Sequence, residues 1–179
     1  MLTAFMGAGG SAVAETLNFS PAGRITLAGS LTWTDGLGAR TTCAISLIGT
    51  LQRSVVTTRE AEMGSISSAT SERCEGGRIT TLVPPPIPIV FAAVLRTAEV
   101  LVGILAGLRG IGILVEGPIS ECLYATTLGL LIDVRRNNTA SVTLLRGAWE
   151  LVRTLRGFCS VGNLAGTMEL RPTQEVVLR

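Results

Sequence analysis

The residue types that this chain lacks restrict the chemistry it can perform. Its 179 residues include no histidine, and all fifteen basic residues are arginine. Histidine is the commonest general base and metal ligand, and lysine supplies Schiff bases and the phosphate contact of the Walker motif. Ser-His-Asp triads, histidine-based zinc sites and Walker-type nucleotide sites are therefore excluded. Carboxylate, tyrosine and thiol chemistry remain.

The acidic residues offer two close pairs. Glu60 and Glu62 form the first pair, and Glu72 and Glu75 form the second. A glycosidase needs two carboxylates that face one cleft, and spacing along the chain does not establish this, whereas solvated charges explain both pairs. Tyr124 is expected to pack in the core or at its rim. We therefore predict no catalytic, cofactor-binding or metal-binding residue, and a carboxylate-dependent hydrolase stays as an alternative.

The thiols have a different interpretation. Cys43, Cys74, Cys122 and Cys159 are widely spaced and form no C-x-x-C motif, which disfavours zinc and thioredoxin-like sites. An even number of cysteines is typical of an exported chain with disulfides, and three pairings are possible. We predict Cys43–Cys74 and Cys122–Cys159, because each bond then closes a medium loop within one half of the chain. Four free buried thiols are the alternative.

The N-terminal segment favours export. Ala12-Val13-Ala14 is a small-x-small cleavage pattern that follows a short stretch of apolar and small residues, although no positive region precedes it. Residues 1–14 are expected to be a signal-peptide remnant or a flexible arm. The mature protein would then start at Glu15, and residues 15–179 would form a single β-rich domain.

Composition excludes two further classes. Apolar residues make up 47% of the chain and charged residues 16%, which excludes intrinsic disorder. The net charge is +2 and only seven residues are aromatic, so a nucleic-acid partner is not expected.

A period of two dominates the sequence and predicts strands. Ile25–Trp33 and Cys43–Leu51 both alternate apolar with small or polar residues, and Asp35-Gly36 supplies a turn between them. Similar runs recur about every ten residues. We predict a mainly all-β fold, an antiparallel β-sandwich or barrel, with at most one short helix. Ala148–Arg156 is ambiguous, because the near-helical spacing of Trp149, Val152 and Leu155 also fits one or two helical turns.

Two segments interrupt the regular pattern. Pro84-Pro85-Pro86 predicts an extended edge or a crossover between two halves. Ile89–Val115 is almost continuously apolar, so a transmembrane helix is the rival interpretation there. Glu99 and Arg109 oppose insertion into a bilayer, and we predict buried β-strands for this segment.

Several short motifs together resemble a group of secreted actinobacterial proteins of unknown function. The resemblance covers Phe19–Leu170 and departs at the proline tract and in 89–115. The motifs are Ile25–Trp33, Thr42–Thr50, Cys74-Glu75-Gly76-Gly77, Cys122-Leu123-Tyr124, and Cys159 followed by Gly166-Thr167. The resemblance implies export, disulfides and β-structure, and it implies no activity.

The function expected from the sequence is that of a secreted or cell-envelope, non-enzymatic protein with a structural or binding role. Its partner would be a protein, a lipid or a cell-wall polymer, and it would be extracellular or attached to the cell surface. The first alternative is a membrane-associated protein that uses the apolar segment 89–115, and the second is the hydrolase named above.

Overall fold

The computed structural model of the protein describes residues 15–58, 60–82, 86–98, 100–135, 138–145 and 149–179. Within these ranges it has twelve strands and no helix. The strands are β1 (Thr16–Ser20), β2 (Gly23–Asp35), β3 (Arg40–Leu51), β4 (Ser54–Val56), β5 (Glu62–Glu75), β6 (Arg78–Leu82), β7 (Ile87–Thr97), β8 (Val100–Glu116), β9 (Glu121–Arg135), β10 (Asn138–Leu144), β11 (Glu150–Arg156) and β12 (Gly162–Leu178).

All twelve strands belong to one antiparallel sheet, which confirms the predicted all-β class. Eight of them pair in chain order, namely β2, β3, β5, β7, β8, β9, β10 and β12. The last of these, β12, also pairs with β2 over ten residue pairs. The sheet therefore closes on itself as a barrel.

The alternation seen in the sequence is the alternation between the inside and the outside of this barrel. In β3, Cys43, Ile45 and Leu47 are buried, and the residues between them are half-buried on the outer face. In β8 the buried positions change phase between Leu108 and Ile111, where a β-bulge interrupts the register with β9. The bulge turns Arg109 outward and keeps the apolar side chains on both sides of it in one core.

The described residues of the apolar segment 89–115 form strands β7 and β8 and the turn at Ala98, which confirms the predicted strands, whereas Glu99 lies outside the described residues. Arg109, which argued against a spanning helix, is exposed. In the part of the chain that the structure describes, no helix has the length and apolarity needed to cross a membrane.

The barrel has a closed half and a split half. In the closed half the eight strands form the complete ring. In the split half β6 takes the place of β7 beside β8, and β11 takes the place of β10 beside β9. Among the described strands, no hydrogen-bonded ladder joins β6 to β5 or β11 to β12. The split half therefore consists of two four-stranded sheets, β12-β2-β3-β5 and β6-β8-β9-β11. The molecule thus combines a barrel with a sandwich, the two architectures that the sequence left open.

The helix considered for Ala148–Arg156 is wrong, because Glu150–Arg156 is strand β11. The spacing of its apolar residues does not mark one buried face. Trp149 is only 1% exposed, whereas Val152 and Leu155 are 58% and 46% exposed. Pairing with β9 determines the conformation here. The N-terminal segment 1–14 and Pro84-Pro85 of the proline tract lie outside the described residues.

Candidate binding pocket at the split end

Four connections meet at the open end of the split half, and we call them the split-end loops. They are 36–39 between β2 and β3, 76–77 between β5 and β6, 117–120 between β8 and β9, and 157–161 between β11 and β12. A pocket of about 230 Å³ opens among them, lined by residues of both four-stranded sheets. The split in the sheet therefore places a cavity between the two sheets at this end.

Aromatic side chains form the inner wall of the pocket. Trp33 and Tyr124 are both buried, and their ring centroids lie 4.4 Å apart. The Tyr124 hydroxyl donates a hydrogen bond of 2.7 Å to the carbonyl oxygen of Ser160. Burial, and secondarily the negative charge of Asp35, raise the pKa of Tyr124 above its ordinary value. The phenol is thus protonated at neutral pH and already bonded to the protein.

The turn at 36–39 is held by side-chain hydrogen bonds. One Asp35 carboxylate oxygen accepts from the amides of Leu37 at 2.9 Å and Ala39 at 2.8 Å. The Gly36 amide donates to the Ser160 hydroxyl oxygen at 3.0 Å, which ties this turn to the 157–161 loop. Asp35 therefore forms the turn that the Asp-Gly dipeptide predicted.

Glycines in two of the split-end loops pack closely against neighbouring backbone. Gly157 has a φ of +69°, and a Cβ there would lie 2.1 Å from the carbonyl oxygen of Ile119. Gly77 has a φ of +148°, and a Cβ there would lie 2.3 Å from the carbonyl oxygen of Glu116. Only glycine fits at these two contacts, so the loops around the pocket pack closely against their neighbours.

Both disulfides lie in the split half, with the predicted pairing. Cys43–Cys74 joins β3 to β5 with a Cα–Cα distance of 4.1 Å. Cys122–Cys159 joins β9 to the 157–161 loop with a Cα–Cα distance of 5.8 Å. The Cys43 sulfur also accepts a hydrogen bond of 3.3 Å from the amide of Ile79 in β6, across the split between the sheets. All four sulfurs are thus occupied.

The carboxylate pairs considered from the sequence do not line this pocket. Glu60 forms an ion pair of 2.5 Å with Arg109, and Glu62, Glu72 and Glu75 are exposed on β5. Of the described residues, Asp35 is the only carboxylate in the lining, and it bonds to the turn. No cluster of three metal-binding side chains occurs in the described ranges.

Sequence reasoning missed the residues that surround the mouth of the pocket. Leu37, Ile119 and Phe158 line the pocket and are 78%, 82% and 72% exposed. Each lies in the middle of a split-end loop. The signal that could have found them is a large apolar residue in a short turn that contains glycine or proline and no charge.

A larger depression on the outer face of the sheet has a different character. It measures about 410 Å³, and all but one of its lining residues are polar or charged. Arg135 pairs there with Asp133 at 2.8 Å, and Arg171 pairs with Glu169 at 2.6 Å. In each pair the two charges already have a partner within the protein. We therefore place the candidate site at the split end.

No protein-family model matches the sequence, and neither the curated proteins nor the solved structures include a match. The all-β fold and the two disulfides implied by the resemblance to secreted actinobacterial proteins are present in the structure.

Proposed function

We propose that the protein is a non-enzymatic binding protein and that the pocket at the split end receives an apolar group of its ligand. The observation that carries this proposal is the combination of an aromatic inner wall with three exposed apolar residues at the mouth. Soluble proteins rarely leave several large apolar side chains exposed together unless they bind something.

The state of the polar groups in the lining supports an apolar ligand. The Tyr124 hydroxyl and one Asp35 carboxylate oxygen are bonded within the protein, and the Thr41 hydroxyl donates to the carbonyl oxygen of Gly76 at 3.3 Å. A ligand would therefore gain chiefly by burying apolar surface, at about 25 cal/mol per Å². The volume of about 230 Å³ is below the roughly 300–1,000 Å³ typical of drug-sized ligands. An alkyl chain or a single apolar group suits such a pocket.

Several observations support placing the protein outside the cytoplasm, either secreted or at the cell surface. Disulfides persist in oxidising compartments, and this chain uses all four cysteines in them. The small-x-small pattern at Ala12–Ala14 and the resemblance to secreted actinobacterial proteins agree with export. We expect mass spectrometry of protein from the culture medium to find Glu15 as the first residue. An intact Met1 on a soluble cytoplasmic product would contradict export.

Fluorescence quenching tests the pocket. Trp33 lines it, and Trp33 and Trp149 are the two tryptophans of the chain. We expect a bromine-labelled decanoate to quench the emission with a saturable dependence on concentration, because bromine quenches an indole that it contacts. Ala39→Phe should abolish the saturable phase, because the new ring would occupy the pocket from an exposed lining position.

Ala92→Phe provides the matched control. Ala92 is an exposed residue of β7 on the outer face, away from the pocket. This variant should bind the probe like the unmodified protein. Quenching that is linear in concentration, or equally reduced in both variants, would refute the pocket as the binding site.

A further inference from the structure

We propose that the split end docks on a lipid surface, with Leu37, Ile119 and Phe158 inserted at the boundary between headgroups and acyl chains. This inference goes beyond the pocket, because it concerns the outward faces of the loops around the mouth. Each of the three side chains projects from a different split-end loop and is more than 70% exposed.

The distribution of charge at this end is layered. None of the four split-end loops contains a charged residue. Charges begin at the adjoining strand ends: Asp35 and Arg40 flank the first loop, Glu75 and Arg78 the second, and Glu116 and Glu121 the third, and Arg156 precedes the fourth. The side chains of Leu37, Ile119 and Phe158, which we call the apolar tips, therefore lie outermost. The charged residues lie one step behind them.

This layering fits a lipid interface. An apolar side chain gains by leaving water for the acyl boundary, whereas a charge is costly to bury and remains at the level of the headgroups. The charges behind the loops include both signs, with no excess of arginine. Docking should therefore depend on the apolar tips, proceed on zwitterionic lipid, and change little with salt.

The tips are held in place before docking. The Leu37 amide is bonded to Asp35, the backbone of Gly157 packs against Ile119, and Phe158 is followed by the disulfide-bonded Cys159. Little conformational entropy is therefore lost when they insert, which favours association.

Flotation of the oxidised protein with phosphatidylcholine vesicles tests this inference. The unmodified protein should float with the vesicles. The triple variant L37D/I119D/F158D should lose on the order of tenfold or more in partitioning, because three apolar groups no longer enter the interface. V56D/V100D is the matched control, since Val56 and Val100 are 48% and 63% exposed away from the split-end loops and should leave partitioning unchanged.

A second measurement does not depend on a disruptive variant. In F158W the new indole should be quenched by vesicles of acyl-brominated phosphatidylcholine, and about 0.5 M salt should leave the quenching nearly unchanged. Ala39→Phe, which blocks the pocket, should still float, so failure of the pocket and failure of docking are distinguishable.

Four results would overturn the proposal. These are no flotation of the unmodified protein, equal losses in the triple and control variants, binding that salt abolishes, and tip-dependent self-association without lipid binding. The last result would identify a second copy of the chain as the occupant of this surface.

Discussion

The closed and split halves of the barrel are built from the same alternating strands, but they are held together differently. In the closed half, backbone ladders join all eight strands, and β10 completes the ring by pairing with both β9 and β12. In the split half, the Cys122–Cys159 disulfide and the Tyr124–Ser160 hydrogen bond tie β9 to the 157–161 loop that leads into β12. The Ile79 amide bonds to the Cys43 sulfur across the two sheets, whereas Cys43–Cys74 strengthens the β3–β5 edge of one sheet. Where the ladder is missing, a space remains between the sheets, and the pocket occupies it.

The two ends also differ in charge. Near the closed half, Arg96 pairs with Glu15 and Arg109 pairs with Glu60. The split-end loops carry no charge and expose apolar tips. One end of the fold is completed by its own backbone ladders, while the other has a cavity and an exposed apolar surface, where we propose that a partner binds. The following variants test this division.

Removal of the Cys122–Cys159 bond should have the largest effect. The Cys122→Ala/Cys159→Ala variant loses a link that closes a 37-residue separation, and the free energy of unfolding should fall by about 4 kcal/mol on the loop-entropy model. Urea denaturation measures the change. The variant should also lose saturable binding of bromodecanoate, because Phe158 and Ser160 are released from the rim. A fall below about 1 kcal/mol with binding intact would contradict the structural role of this bond.

A cavity in the closed half should destabilise the protein without affecting binding. Leu108 is fully buried, and Leu108→Ala should lower the free energy of unfolding by about 3 kcal/mol. Urea denaturation and the quenching titration, performed on the same sample below the unfolding transition, measure both properties. Loss of probe affinity in the folded variant would show that the two halves are coupled.

The Tyr124 hydroxyl should contribute a smaller amount. Tyr124→Phe removes its hydrogen bond to Ser160 and should cost about 1 kcal/mol. Because folding raises the pKa of Tyr124, the unfolding free energy should be independent of this group below pH 10 and fall above it, where the unfolded chain ionises first. The phenylalanine variant should lack that alkaline decrease in a pH series of denaturation curves. An identical decrease in both proteins would assign it to other groups.

The smallest effect is expected for an exposed ion pair near the closed half. Arg109 and Glu60 keep about half of their side-chain surface exposed. Arg109→Gln should change the free energy of unfolding by roughly 0.5 kcal/mol, and added salt should reduce the difference further. Chemical denaturation at two salt concentrations measures it. A loss above about 2 kcal/mol would mean that this pair supports the bulge in β8.

Local pattern predicted most strands and the turn at Asp35, because alternation and turn chemistry act over a few residues. The disulfide pairing was predicted from the closure of a medium loop within each half of the chain. Local pattern did not predict that β6 and β7 share β8 as a partner, since long-range pairing depends on which edges remain free after the sheet has closed. The ambiguous stretch Ala148–Arg156 was left unresolved for the same reason, because pairing with β9 outweighs the local near-helical spacing. Leu37, Ile119 and Phe158 were missed because each lies in a short turn without strand or helix periodicity, and only the fold brings them together.

Amide hydrogen exchange, followed by mass spectrometry with and without decanoate, tests the division between the two halves most directly. The account predicts slower exchange with decanoate in the segments 36–41, 117–124 and 157–161, which line the pocket. The strands β7 and β10 of the closed half should exchange at the same rate in both conditions. Protection that appears in the closed half, or that is spread evenly over the barrel, would contradict the assignment of binding to the split end.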